Sequence, residues 1–358
     1  SLAGALLAPH PTELAVVLET DAPTKLAPSA THPMGTDWHG VDVFSRVLKG
    51  ACYSVGIGLA ASVVAVAIGL FVGLTTGYFG GLYDAAWMRF VDVDLDSLNM
   101  DLDQVEDAIT PRTKSIFAVN TLGAPNDFDR LIDICDRHNL ILLEDNCESM
   151  GAKYALRYTG TFGLCGTFSM FFSHHICTME GGMVLTDDRE LCEIITSLRA
   201  HGWTRELPHR NSVRGKSGSA FHDMYCFVLP GYNVRPLEIS AAVGIRQLEK
   251  LDGLLTARRA NARRFVELFG ELDFVRTQRP PGDSSWFGFS LILEGPLAGC
   301  RDRVAQHLMS EGIECRPIIA GNITRHPVAR YFDLRIHGDL PNADRIDQDG
   351  FFVGNHHF

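Results

Sequence analysis

From about residue 90 to its end the chain predicts an α/β fold built on a parallel sheet, preceded by a single membrane-spanning helix. Three observations lead there. The stretch from Ala51 to Phe79 carries no charge and is about long enough to cross a bilayer. Beyond Asp92 there is no comparable run, and short apolar segments alternate with charged segments of helical period. The first of these segments read strand, helix, strand, which is a βαβ unit.

In order, Ser115-Ile-Phe-Ala-Val119 is a short apolar strand, residues 127–138 have helical spacing, and Leu140-Ile-Leu-Leu143 is a second buried strand. Asp145 then falls just past the carboxyl end of a parallel strand, where open α/β sheets place ligand chemistry, although a carboxylate there serves equally as a helix cap. Residues 166–172 and 182–186 read as strands bracketing a turn at His174, and residues 188–200 as a helix capped by Asp187 or Asp188. Further on, 287–293 is expected as a strand and 300–311 as a helix.

The chain has 358 residues, 46% of them hydrophobic, so it can bury two or three cores; its net charge of -11 argues against a nucleic-acid partner. The nine cysteines are scattered with no CxxC pair, which indicates neither a zinc ribbon nor a disulfide framework. A loop histidine is usually a hydrogen-bonded surface residue. The His174-His175 pair could hold a metal, but no third ligand stands at a suitable spacing, so no metal site is expected.

The motifs Leu143-Glu-Asp-Asn-Cys-Glu-Ser-Met-Gly151, Gly160-Thr-Phe-Gly163, Phe168-Ser-Met-Phe-Phe-Ser-His-His-Ile-Cys-Thr-Met-Glu-Gly-Gly182, Arg199-Ala-His-Gly-Trp-Thr-Arg205, Pro230-Gly-Tyr-Asn-Val-Arg-Pro-Leu-Glu238, Ser284-Ser-Trp-Phe-Gly-Phe289, Glu314-Cys-Arg-Pro317 and Gly354-Asn-His-His357 follow one another from about Phe90 to the end. In this order they resemble the sugar aminotransferase family of fold type I, and within it the branch that removes the C3 hydroxyl of a sugar. The resemblance implies a PLP-dependent transferase-like large domain over 90–252 and a small C-terminal α/β domain over 253–358.

It also implies the chemistry. His174 stands where the family keeps its cofactor lysine. A lysine would form an imine with pyridoxal 5'-phosphate (PLP), which imidazole cannot do. The cofactor, PLP or its amino form pyridoxamine 5'-phosphate (PMP), would then be unlinked, with glutamate as amino donor and His174 as the base of near-neutral pKa. Asp145 matches the carboxylate that keeps the pyridine nitrogen protonated. By the same resemblance Glu148 and Ser169 are cofactor-pocket residues, Asn233 reaches the phosphate in the neighbouring subunit of a homodimer, and His201, Arg205 and Arg316 meet a GDP-4-keto-6-deoxymannose-type nucleotide sugar. The product would be a 4-keto-3,6-dideoxy sugar for lipopolysaccharide. His175 is expected to pack or hydrogen-bond beside its neighbour. A related iron-sulfur dehydratase needs clustered cysteines, which the sequence lacks.

The family's phosphate-binding turn precedes the matched region and is not found here. Such a turn offers helix N-terminal amides to an anion, so its loss would weaken cofactor binding. The C-terminus is expected to stop some way before the family's usual end. The residues upstream, His32-Pro-Met-Gly-Thr-Asp-Trp-His-Gly-Val-Asp-Val-Phe-Ser-Arg46 and Met88-Arg-Phe-Val-Asp92, resemble the opening of a permease subunit of the dipeptide and nickel ABC-importer type. Residues 1–89 are thus expected as a permease-like fragment that would insert in the inner membrane, joined at 90–93 to a cytoplasmic enzyme. Two other readings stand: a sugar aminotransferase proper, disfavoured because His174 is not lysine, and a transport subunit, disfavoured because one helix cannot line a path.

Overall fold

The computed structural model describes residues 25–49, 51 and 88–357. They fall in two units, Ser1–Ala86 and Trp87–Phe358. The expected membrane span lies outside the described residues, apart from Ala51. Among the described residues no helix is long and apolar enough to cross a membrane.

In the first unit the permease-like motif bonds to itself. The carboxylate of Asp42 is buried and pairs with His32 Nδ1 at 3.0 Å while accepting from the Ser45 amide at 2.7 Å. Asp37 accepts from the Val41 amide and from Arg46.

The second unit carries two four-stranded sheets. Strands β2 (Ser115–Val119), β3 (Ile141–Asp145), β6 (Cys165–Ser169) and β7 (Gly182–Leu185) form one, in that spatial order. Its first three strands are parallel and β7 runs antiparallel to β6. Helices α1 (Leu102–Ala108) and α2 (Phe128–His138) cover it. The α2 sequence explains itself: Asp127 caps its start by accepting from the Arg130 amide, and Asn139 ends it in a left-handed conformation. Its Phe128, Leu131, Ile134 and Cys135, at helical spacing, pack on Ile116, Ala118 and Leu142 of the sheet. Phe128 is fully buried and stacks on Phe162 at 4.0 Å, so Phe128→Ala would cost about 3–5 kcal/mol. The expected strand over 166–172 ends at Ser169, because the chain turns there: the Phe171 amide donates back to Ser169 Oγ.

A short hairpin, β4 (Lys153–Tyr154) with β5 (Arg157–Tyr158), lies in the connection between β3 and β6, and β7 is followed by α3 (Arg189–Leu198), capped by Asp188. After α4 (Ala220–Asp223) and α5 (Glu238–Leu248) comes the 19-residue α6 (Leu251–Phe269), with residue 252 in its first turn. Strands β8 (Val275–Thr277), β9 (Gly288–Leu293), β10 (Cys315–Arg316) and β12 (Gly350–Gly354) make the second, antiparallel sheet, ordered β10-β12-β9-β8. Phe265 of α6 buries against Leu291, Leu293 and Phe351 on it. Helix α7 (Arg301–Ser310) joins that core through Val304 and Leu308.

Residues 88–93 are built into this unit. Strand β1 (Met88–Phe90) pairs in parallel with β11 (Leu334–Ile336). The fully buried carboxylate of Asp92 accepts from the amides of Asn342 and Ala343 at 2.9 and 2.8 Å. Those are first-turn donors of α8 (Pro341–Asp349), whose own N-cap, Leu340, has no side-chain acceptor. A carboxylate about 250 positions away thus caps the helix.

Candidate active site

The carboxyl ends of β2, β3 and β6 converge, and the candidate residues stand there. Asp145 is the last residue of β3, paired with Val119 on one side and Thr167 on the other. Its backbone carbonyl accepts from the Asn120 amide, and its Oδ1 accepts from the Cys147 amide at 2.9 Å. It caps no helix. On the opposite face of the strand Glu144 is fully buried, accepting from the amides of Gly160, Phe162 and Gly163 at 2.6–2.7 Å. Those three bonds fix the 160–163 turn beneath the strand end and hold Asp145 to the open side.

Three residues on, Glu148 Oε2 accepts from the Leu122 amide at 2.8 Å. Leu122 sits at φ 51° in the turn Thr121–Gly123 that follows β2. Gly123 is required there: a Cβ would lie 2.6 Å from Ser285 Oγ. Burial, with the Asp145 charge adding to it, pushes the Glu148 carboxyl up to about 7. Burial, then Asp145, pushes the Cys147 thiol up to about 12, so it stays an unreactive thiol.

His174 lies in the turn after β6. Its Nδ1 is 3.3 Å from Ser169 Oγ, its amide donates to Phe171 O, and its ring packs 5.4 Å from the Phe287 ring. Burial lowers its pKa below the usual histidine value, opposed in part by Asp145, so the imidazole is neutral at neutral pH. His175 is buried and packs on the other side at 5.7 Å from Phe287. Neither of its ring nitrogens has a hydrogen-bond partner among the described residues. Burial first, then Arg258, drives its pKa down to about 3. His175 packs against Phe287, with no hydrogen bond of ordinary geometry to its ring among the described residues.

A second cluster forms where residues 199–205 meet 225–235. The His201 amide donates to Tyr232 O, the Tyr232 amide to Leu198 O, and Ala200 bridges Asn233. Gly202 has φ 77°, and a Cβ there would lie 1.7 Å from Leu229 O. His201 and Arg205 both touch Trp203, whose ring centroid is 5.5 Å from the His201 ring and 4.0 Å from the Arg205 guanidinium. Asn233 is exposed beside them, its Oδ1 accepting from Arg235. Arg316, on β10, stands apart with its guanidinium forked onto Glu314.

The structure thus groups Asp145, Glu148, Ser169 and His174, groups His201, Arg205 and Asn233, and leaves Arg316 on its own ion pair. Trp203, Phe287 and Arg235 were not singled out from the sequence. All three lie inside the quoted motifs, but no local pattern shows that 203, 225 and 235 meet, which they do through these backbone bridges. Among the described residues no group of three or more His, Cys, Asp and Glu side chains could hold a metal.

The first group fits a protonated pyridine bearing a phenolic oxygen: a carboxylate with no ion pair among the described residues, a near-neutral acid, a hydroxyl and an imidazole.

A family model for the DegT/DnrJ/EryC1/StrS aminotransferases matches residues 83–357. GDP-4-keto-6-deoxy-D-mannose 3-dehydratase of Escherichia coli O55:H7 is 49% identical over 271 residues, covering 75% of this chain and 70% of that protein. The enzyme of the same name from Yersinia pseudotuberculosis is 50% identical over 287 residues, covering 80% and 73%. A crystal structure of GDP-4-keto-6-deoxymannose-3-dehydratase with a trapped PLP-glutamate geminal diamine superposes with a TM-score of 0.74 at 48% identity, covering 76% of this chain and 71% of that one. With the fold, the matched residues and these relatives in agreement, the chain belongs to the DegT/DnrJ/EryC1/StrS aminotransferase family.

Proposed function

We propose that this protein is a PLP/PMP-dependent sugar 3-dehydratase that converts a GDP-4-keto-6-deoxymannose-type nucleotide sugar to its 4-keto-3,6-dideoxy product, with glutamate as amino donor. The balance is complete: glutamate is oxidised to 2-oxoglutarate, its nitrogen leaves as ammonia, and the sugar's C3–O bond is replaced by C–H. The observation that carries the reading is an imidazole, His174, held at Ser169 where a linking lysine would make an aminotransferase.

When bound, the cofactor supplies the electron sink that lets a carbon–hydrogen bond ionise. The chain's residues do the rest. Asp145 is the acceptor for the ring nitrogen. Glu148, near its midpoint at neutral pH, lies in the pocket as a hydrogen-bonding acid. Ser169 orients the imidazole through Nδ1, leaving Nε2 to accept a proton. Asn233 serves the cofactor phosphate of a neighbouring copy in a homodimer. His201, Arg205 and Arg316 contact the nucleotide sugar, guanidinium being a natural partner for diphosphate.

The division into a large domain over 90–252 and a small domain over 253–358 belongs to the same reading. So do a cytoplasmic enzyme part and a permease-like fragment over 1–89. Supplying PLP, glutamate and the GDP-linked 4-keto sugar tests the function. Equimolar ammonia and 2-oxoglutarate formed only in the presence of the sugar supports it; glutamate consumed without ammonia contradicts it.

A further inference from the structure

Three basic groups surround the ring of Phe287. The imidazoles of His174 and His175 lie 5.4 and 5.7 Å from its centroid, and the Arg258 guanidinium lies 5.8 Å from it. Arg258 belongs to α6 and is only 7% exposed. Among the described residues no carboxylate pairs with it, its Nε has no hydrogen-bond partner, and its Nη1 reaches only Phe287 O, at 3.5 Å. A guanidinium keeps its proton even when buried, so Arg258 is a permanent cation without a counter-ion, an arrangement that disfavours folding. The next residue shows the contrast. Arg259 pairs with Asp283 at 3.0 Å and donates to Gly151 O and Ser284 O at 2.9 and 3.2 Å, the bonds expected of an arginine that only braces the fold.

The backbone around Phe287 is held from two directions. Asn355 Nδ2 donates to the carbonyls of Arg258 and Trp286 at 3.1 and 2.9 Å, which ties α6 to the turn that carries the ring. On the other side the Phe287 amide donates to Leu122 O and the Ser285 amide to Gly123 O, both at 3.1 Å. Trp286, between them in the chain, takes the left-handed φ of 51°. Two charged groups face His174, Asp145 from β3 and Arg258 from α6, and they act on its proton in opposite directions. His175, its neighbour in the turn, adds no charge at neutral pH. Protonating His174 would set a second cation at a ring that already carries the guanidinium, where burial leaves charges poorly screened.

We propose that Arg258 is a positioning residue for the reaction: its unpaired charge, carried at Phe287, holds the His174 imidazole unprotonated and ready to accept a proton despite the Asp145 carboxylate. This rests on His174 as the base of the reaction proposed above.

The test is a histidine NMR titration of the full chain, with the His174 signal assigned by its absence from His174→Asn, run beside the pH profile of ammonia release. Arg258→Met removes the charge and keeps the apolar stem, a change that a fold tolerates well where the charge was buried and unpaired. It should raise the His174 midpoint by about one pH unit, the scale on which one unit charge acts across the breadth of a ring in a protein interior. The acid limb of activity should move to higher pH by the same amount. Arg258→Lys, which returns the charge, should bring both back towards wild type. An unmoved His174 midpoint in Arg258→Met overturns the proposal even where turnover falls, since a bracing role lowers turnover without shifting the titration. Should Arg258→Met not fold, Arg258→Gln decides by the same midpoint. The titration needs no substrate, so a wild type that releases no ammonia overturns the reaction reading and leaves the midpoint to decide the role of Arg258.

Discussion

The imidazole of His174 and the hydroxyl of Ser169 stand 3.3 Å apart at the end of β6, with Nδ1 in the contact and Nε2 outside it. Both residues belong to one turn, since the Phe171 amide bonds to Ser169 and the His174 amide to Phe171. The imidazole is thus oriented by the strand end that carries it.

Replacing His174 with Asn preserves polarity and removes the base. Ammonia release should fall by about 10²- to 10⁴-fold, the usual contribution of a positioned base. Pyridoxamine phosphate affinity should change little. A variant that keeps within tenfold of wild-type turnover would show that another group takes the proton.

His175 and Glu148 contribute to the pH dependence of stability with opposite signs. For His175 the folded pKa, about 3, lies below the ordinary 6.5, so the unfolded state binds more protons in that window. Stability then rises with pH from about 3 to 6.5 and is lost on acidification. His175→Phe, which replaces two unpartnered nitrogens by carbon, should flatten that acid limb in urea melts and cost little at pH 7. An acid limb as steep as wild type's would place the sensitivity elsewhere.

Glu148 acts with the opposite sign. Its folded pKa of about 7 lies above the ordinary 4.5, so the folded state holds the proton longer and stability falls as pH rises between the two. The full effect is about 3 kcal/mol at most. Glu148→Gln should remove this slope and be more stable than wild type above pH 7. Equal stability at pH 5 and pH 8 in the wild type, once the His175 limb is subtracted, would contradict it.

Asp92 caps α8 from the far end of the enzyme region. Asp92→Ala should lower unfolding free energy by about 1–2 kcal/mol, as the loss of a helix cap does. An unchanged urea midpoint would mean that residues 88–93 are not part of the folded unit.

Gly202 permits no side chain. With φ 77° and a backbone oxygen 1.7 Å from where Cβ would go, Gly202→Ala should force residues 199–205 away from 229–233. Tryptophan fluorescence of Trp203 should change and GDP affinity should drop, with the large sheet still melting cooperatively.

The parts visible in the sequence are those with local signals. Apolar periodicity marks β2, α2 and β3, and Asp127 and Asp188 mark helix starts, since a cap bonds only three residues away. Asp145 follows from its strand-end position, and His174 from a motif whose residues are contiguous. The Trp203 cluster depends on contacts some thirty residues apart, and the Asp92 cap on one of about 250, so neither leaves a periodic trace. The strand expected over 166–172 was too long because Phe171 and Phe172 are apolar yet belong to the turn. The apolar run over 51–79, apart from Ala51, lies outside the described residues.

In the proposed reaction His174 makes this protein release nitrogen rather than install it. Supplying ¹⁵N-glutamate with PLP and the GDP-linked 4-keto-6-deoxy sugar, then following the label by NMR and mass spectrometry, separates the two outcomes. The label is predicted to appear as free ammonium beside an unlabelled sugar that has lost its C3 oxygen; ¹⁵N retained on a sugar that keeps that oxygen would contradict the account and make the protein an aminotransferase.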